Sequence, residues 1–215
     1  MSKRALVITA LVCAVLALVS IFGFDRRIAE AVHASAVAGA AVFVEGTRAL
    51  DAVTGRSLLH NHVLSAVLLG GIVFALGVLA WLFNRGSYTA RAAMFTGGVQ
   101  LATIATAYLL KNFFGRQRPY ELLGHGDWQH MWFAGGSSFP SGHNAFFWGL
   151  FIPLLYLFPR WRIPLLLVPL FIALARVDTS SHFPSDVFAS IALACLVTLI
   201  AATLCARWIK PVGAR

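Results

Sequence analysis

An all-α fold built into a membrane is predicted from three observations on the 215-residue chain. Hydrophobic residues make up 59% of it, charged residues only 12%, and the apolar residues gather into six stretches. Soluble domains carry about twice that share of charge. A bilayer core about 30 Å thick asks for roughly 20 helical residues, and the stretches fall at 5–24, 63–83, 92–110, 144–158, 163–175 and 187–206. The length leaves room for a single domain, 1–215, of six transmembrane helices with short interfacial helices between the first two spans.

The first stretch follows Lys3 and Arg4, as the core of a secretory leader would. Leader cores run to about 7–15 residues and end on small side chains. Here the apolar run is longer and closes on Phe22-Gly23-Phe24-Asp25, so it is read as a retained span. Segment 25–62 is rich in alanine, punctuated by Gly39, Gly46 and Gly55, with charges recurring through apolar text. It suits a pair of interfacial helices, or a connection packed on the bundle, and no residue in it is singled out. A seventh crossing at 28–44 is set aside because it contains Glu30 and His33 and would place the acid-free loops outside.

The second and third spans are joined by Phe83-Asn84-Arg85-Gly86-Ser87, a turn sequence. Phe158-Pro159-Arg160-Trp161-Arg162 plays the same part between the fourth and fifth, with Trp161 as an interfacial anchor. The fourth and fifth stretches are short, at 15 and 13 residues. At a rise of about 1.5 Å per residue the fifth covers roughly 20 Å of the core, so Arg176 at its end is expected below the membrane surface, in a recessed pocket.

Charge sets the orientation, because basic loops stay in the cytoplasm. With the N-terminus inside, the cytoplasmic segments hold Lys3, Arg4, Arg85, Arg91, Arg160, Arg162, Arg207, Lys210 and Arg215 and no acid, which accounts for the whole formal charge of +9. The other eight basic residues, all eight acids and all seven histidines fall on the opposite side. Both termini are therefore expected in the cytoplasm and the outward loops in the periplasm or exterior of a bacterium-like cell. The basic residues form no stripe with interleaved aromatics, which argues against a nucleic-acid partner. Cys13, Cys195 and Cys205 fall inside spans as small packing residues, with neither disulfide nor zinc spacing.

Three outward segments carry chemistry. Lys111 follows the third span and Arg118-Pro119 comes seven residues on; arginine offers a planar fork and lysine a point charge to a phosphate. Lys111 alone reads better as an anchor snorkelling to headgroups, and Arg116 is taken as a solvated or lipid-facing charge. Pro140-Ser141-Gly142-His143 opens the fourth span, with Ser141 as N-cap, free backbone donors at an anion-binding helix start, Gly142 permitting close approach and His143 able to hold a proton. An ordinary cap beside a surface histidine would look the same. Arg176 precedes His182 and Asp186, with Pro184 suited to a first helical turn. If a helix starts near His182, the i, i+4 spacing sets Asp186 beside its ring; a carboxylate on one imidazole nitrogen makes the other a better nucleophile, although a structural pair has the same spacing. The connection 111–141, with Tyr120, Trp128, Trp132 and Phe133, is long for a compact protein, as functional loops are.

Taken jointly, lysine, six residues, arginine-proline; proline-serine-glycine-histidine; and arginine, five residues, histidine, three residues, aspartate resemble the motifs of the type 2 phosphatidic acid phosphatase superfamily, which includes bacterial phosphatidylglycerophosphate, undecaprenyl diphosphate and lipid A phosphatases. The motifs span 111–186, about a third of the chain, and the six-span layout extends the likeness. Ala175 stands where the third motif usually begins with serine. The resemblance implies that His182 attacks phosphorus, Asp186 orients it, and His143 protonates the leaving group and then helps water attack a phosphohistidine. It implies that Lys111, Arg118, Arg176, Ser141 and Gly142 hold the phosphoryl oxygens, with no metal and no cofactor. No carboxylate cluster suits magnesium, and the His182 and Asp186 pair lacks the partners for zinc.

The expected function is a membrane phosphatase acting on a lipid phosphomonoester or diphosphate at the outer face. Capture of the phosphohistidine by a lipid or sugar hydroxyl would make it a phosphotransferase. A non-catalytic lipid-binding or transport protein is the contrasting class, disfavoured because no charge lies mid-span.

Overall fold

The computed structural model describes residues 1–35, 38–59, 62–125 and 127–213. Arg215 and His60, whose charges entered the side assignment, lie outside the described residues. These residues fold into helices, with no strand among them: α1 (Lys3–Val19), α2 (Asp25–Ala34), α3 (Ala41–Val53), α4 (His62–Phe83), α5 (Tyr88–Phe114), α6 (Pro119–His125), α7 (Gly142–Leu157), α8 (Arg162–Asp178) and α9 (Pro184–Leu204). Among the described residues four helical segments are long and apolar enough to cross a membrane: Lys3–Ala34, Leu64–Phe83, Tyr88–Leu123 and Pro184–Leu204.

α1 buries one stripe, Leu6, Ala10, Cys13 and Ala17, against α9 and exposes Val7, Ile8, Leu11 and Val12 on its other faces. A helix apolar all round with one buried stripe belongs at the edge of a membrane bundle. The helical run that begins with α1 does not stop at Phe24. A π-helical turn, Ser20–Phe24, leads directly into α2 and carries Asp25 into the interior. α4 packs along α5 through glycine: a Cβ on Gly97 would lie 2.6 Å from the Gly70 carbonyl oxygen, and one on Gly77 2.8 Å from the Met94 nitrogen. Small residues at such contacts let backbones approach and gain dispersion where lipid offers no hydrophobic drive.

α7 is the central helix, touching α5, α8 and α9. Trp148, Ile152, Leu155 and Tyr156 on it join Leu6 and Phe95 in one buried cluster, and its Phe146 and Phe147 join Ala66, Ile104 and Ile172 in a second. Pro153 sits inside α7 and Pro169 inside α8. A third cluster, Ala29, Leu122 and Phe183, ties α2 and α6 to the approach to α9. Helix limits shift from the sequence expectation where caps take over: α5 runs four residues further at its C-terminal end, so Lys111 lies within its last turn, and α9 begins at Pro184.

Candidate active site

The ends of α5, α7, α8 and α9 that carry the three motifs meet at one end of the bundle. Each is placed by a local device. Gly115, at φ 49°, terminates α5 in the left-handed region, where a side chain would be strained, and its N–H donates to the Lys111 carbonyl at 3.0 Å. The chain then runs beside its own later segment: Gln117 N–H donates to Met131 O at 2.8 Å and Ser138 N–H to Arg116 O at 2.8 Å. Gly136 makes this possible, since a Cβ there would lie 2.3 Å from the Arg116 carbonyl oxygen. Ser141 caps α7, its Oγ accepting from Asn144 N–H at 3.4 Å and Asn144 Nδ2 at 3.1 Å. Ser141 N–H donates to Asp186 O at 3.2 Å and Ser190 Oγ to Ser141 O at 3.0 Å, fixing the start of α7 to α9.

These ends enclose a cavity of about 310 Å³ lined by Lys111, Arg118, Gly142, His143, Arg176 and His182, together with Arg56, Tyr108 and Ser137. Six of the eight residues expected from sequence thus line one cavity. Ser141 and Asp186 stand directly behind it and are fully buried. Lys111 Nζ donates to the Ser137 carbonyl, and Arg118 Nη2 to Ser137 Oγ at 3.1 Å. The Nε of Arg176 and Nη1 of Arg56 are buried donors with no hydrogen-bond partner among the described residues. Buried donors are normally satisfied, so these two are available to an anion.

His182 precedes α9 rather than starting it, so its contact with Asp186 is not a turn of helix. Asp186, at the third position of α9, reaches back over the helix start: its Oδ2 accepts from Phe183 N–H at 2.8 Å and Ser138 Oγ at 2.5 Å and lies 3.5 Å from His182 Nδ1. Ser138 Oγ is also 3.4 Å from that Nδ1. Nδ1 is thereby turned to the protein, and Nε2 is the nitrogen left for the cavity. Burial pushes the His182 imidazole well below its usual pKa range, against the opposing pull of Asp186, so the ring is neutral and nucleophilic at neutral pH.

Arg116 overturns its expected place as a solvated or lipid-facing charge. Its side chain is fully buried, stacked over Phe183 at 4.0 Å and Trp132 at 4.5 Å. Nη1 donates to Asp186 Oδ1 and to Ser185 Oγ, both at 2.7 Å, and Nη2 to Asp25 Oδ2 at 2.7 Å. Two carboxylates at once explain the burial, because a lone guanidinium there would not be tolerated. Asp25 also accepts from Ser185 N–H at 3.1 Å.

Segment 25–62 likewise contributes more than a connection. Asp51 near the end of α3 and Arg56 just after it reach His143: Asp51 Oδ2 is 3.0 Å from Nε2, Arg56 Nη2 is 3.3 Å from Nδ1, and Arg56 Nε is 3.6 Å from Asp51 Oδ1. Burial would raise the Asp51 carboxyl, but the hydrogen bond to His143 and the charge of Arg56 hold it below the ordinary carboxylate range. Ser137 and Ser138 were within the functional loop but carried no signal of their own. Among the described residues no group of three histidines, cysteines or acids is arranged to hold a metal ion.

A family model described as "PAP2 superfamily" matches residues 92–210, from α5 to beyond α9. The chain is 32% identical over 132 residues to a lipid A 1-phosphatase of Rhizobium johnstonii, covering 60% of this chain and 50% of that protein. A lipid A 1-phosphatase of Rhizobium etli is 31% identical over 132 residues, covering 60% and 53%. The undecaprenyl-diphosphatase BcrC of Bacillus subtilis is 25% identical over 144 residues, covering 64% and 73%. The matched part therefore spans about half the length of the two Rhizobium proteins. No solved structure matches.

Proposed function

The chain belongs to the PAP2 superfamily, and on that premise we propose that it is an integral membrane phosphatase that hydrolyses a lipid phosphomonoester or diphosphate through a phosphohistidine. The observation that carries this is one cavity in which four cations, Arg56, Lys111, Arg118 and Arg176, face two imidazoles, His143 and His182. A transferring phosphoryl group spreads charge over three equatorial oxygens, and catalysis is mostly positioning and charge stabilisation. The printed names of the relatives, lipid A 1-phosphatase and undecaprenyl-diphosphatase, favour the same substrate class.

In this reading His182 Nε2 attacks phosphorus as the bond to the leaving oxygen breaks, and His143 gives that oxygen a proton. Asp186 holds the charge that develops on the His182 ring. Water then attacks the phosphohistidine, the P–N bond breaks, and His143 recovers a proton from the water. Lys111, Arg118, Arg176 and the Gly142 amide hold the phosphoryl oxygens, with Ser141 shaping the turn behind them. The acceptor is water in a phosphatase and a second hydroxyl in a phosphotransferase.

In the same reading the whole chain, 1–215, is one domain in a bacterial inner membrane. α7 and α8, at 16 and 17 residues, are short crossings that bring the total to six, and α2 and α3 lie at the interface. Both termini face the cytoplasm and the cavity opens outward, as the placement of the acid-free loops requires.

The test is release of phosphate by purified protein, in excess EDTA, from a panel of phosphatidylglycerophosphate, phosphatidic acid, undecaprenyl diphosphate and lipid A. Labelled phosphate is expected in the inorganic pool, and His182→Ala is expected to abolish turnover. Unchanged turnover in that variant would remove His182 as nucleophile.

A further inference from the structure

The region that matches the PAP2 family begins at residue 92, yet two side chains that touch His143 come from well before it. Asp51 and Arg56 occupy opposite nitrogens of the ring, at 3.0 Å from Nε2 and 3.3 Å from Nδ1. A guanidinium can only donate, so an Nδ1 that accepts from Arg56 carries no proton. The ring proton then sits on Nε2, donated to Asp51 Oδ2. Arg56 is itself held in place: its side chain is 9% exposed, it lies 5.1 Å over the Phe146 ring, and Nε faces Asp51.

We propose, building on the phosphatase reading, that Asp51 and Arg56 are positioning residues for His143, fixing it as the Nε2–H tautomer with Nδ1 as the nitrogen that exchanges protons with the reaction. Arg56 lines the cavity, and its Nη1, a donor with no partner among the described residues, lies beside the place a phosphate would take. A bound phosphoryl oxygen draws the guanidinium toward itself and releases Nδ1. A proton from solvent then occupies Nδ1, Asp51 compensates the imidazolium across the ring, and that proton passes to the leaving oxygen as the P–O bond breaks. In the second half-reaction Nδ1 takes the proton of the attacking water. Nε2–H stays on Asp51 throughout, so α3 acts as a fixed part of the site.

The discriminating readout is the leaving group. An alkyl phosphate departs as a poor leaving group and needs a proton, whereas p-nitrophenolate departs without one. Asp51→Asn is expected to lower kcat/KM on a short-chain dialkylglycerol phosphate by about 10- to 100-fold, a part of the roughly 10²- to 10⁴-fold that general acid catalysis contributes. The same variant is expected to stay within about threefold of wild type in kcat/KM on p-nitrophenyl phosphate, because that ratio leaves out the later hydrolysis of the phosphohistidine, in which His143 also serves. Asp51→Glu is expected to recover part of the loss, and adding Asp51→Asn to His143→Ala to cost nothing more, since the two act as one unit. Equal losses of Asp51→Asn in kcat/KM on both substrates, or an undiminished further loss in the His143→Ala background, overturn the proposal. Independently of turnover, ¹⁵N-histidine spectra of wild type are expected to show a His143 signal protonated on Nε2, assigned by its disappearance in His143→Ala, and a mixture of tautomers once both contacts are removed together in Asp51→Ala with Arg56→Ala. An Nδ1–H tautomer in wild type overturns the proposal. If wild type hydrolysed neither substrate, the phosphatase reading would fall while these spectra still decided the tautomer.

Discussion

Arg116 and Asp186 meet at 2.7 Å with neither side chain exposed to solvent. The contact supports the oxygen of Asp186 that does not face His182, so the carboxylate is gripped from both sides: Arg116 on Oδ1, and Ser138 with the Phe183 amide on Oδ2. A shift of this carboxylate would carry the imidazole with it.

Removing one partner of a buried ion pair leaves the other charge uncompensated. Arg116→Ala strands both Asp186 and Asp25 and is expected to cost about 3–5 kcal/mol of stability. A lower midpoint of thermal unfolding in detergent, with activity lost in parallel, checks this. Asp25→Asn keeps a hydrogen-bonding group facing Arg116 and is expected to cost less.

Gly142 and Gly136 are expected to respond to alanine in opposite ways. A Cβ on Gly142 meets nothing closer than Lys111 Cε at 3.8 Å and projects beside the cavity. Gly142→Ala should therefore fold with unchanged stability while losing about tenfold in affinity for inorganic phosphate, roughly 1.4 kcal/mol. Product inhibition constants and unfolding midpoints measured on the same preparation separate the two quantities. Gly136→Ala drives a Cβ against the Arg116 backbone and is expected to lose stability by about 1–3 kcal/mol or more.

Acid should destabilise the fold through His182. Burial holds its imidazole well below the ordinary range, so below about pH 6.5 the unfolded chain takes up a proton that the folded protein refuses. Stability from this group is complete above that pH and falls as the pH drops toward the folded value, by at most about 1.4 kcal/mol per pH unit for one proton. Unfolding midpoints recorded from pH 7.5 to 5 should decline less steeply in His182→Asn than in wild type. The same depression keeps His182, the proposed nucleophile, unprotonated in mild acid, so its own protonation is not expected to set an acid limb near pH 6.5.

Orientation is open to chemical labelling. Asn84 and His130 are exposed at opposite ends of the fold, and the native cysteines Cys13 and Cys195 are buried. In intact cells a membrane-impermeant thiol reagent is expected to label His130→Cys and to label Asn84→Cys only after the membrane is broken. The reverse pattern would invert the topology.

Most of the cavity was legible in the chain because its residues sit in three short segments, each beginning or ending a helix. Lys111, Arg118, Gly142, His143, Arg176 and His182 needed only a common membrane depth to converge. Arg116 was misread because a charge between two aromatic-rich stretches looks the same whether it faces lipid or a buried acid. Asp51 and Arg56 carry no such mark for a related reason: α3 and the turn after it are ordinary amphipathic text in sequence, and nothing local shows which of their charges turns inward.

The sequence alone determined an all-helical chain of membrane composition, the family to which it belongs, and the residue types that gather at one end of it, because hydropathy, charge placement and helix-capping chemistry are read over short distances along the chain. Only the tertiary structure decided that α1 continues through a π-helical turn to deliver Asp25 inside, that Arg116 bridges Asp25 and Asp186, and that the end of α3 and the turn after it lay Asp51 and Arg56 against His143. Those contacts join residues between 70 and 92 positions apart, and one side of each pair is a charge wholly or largely withdrawn from solvent whose partner must be found in space. Burial is affordable for such a charge only when the complementary group arrives, and that condition has no signature in either segment by itself.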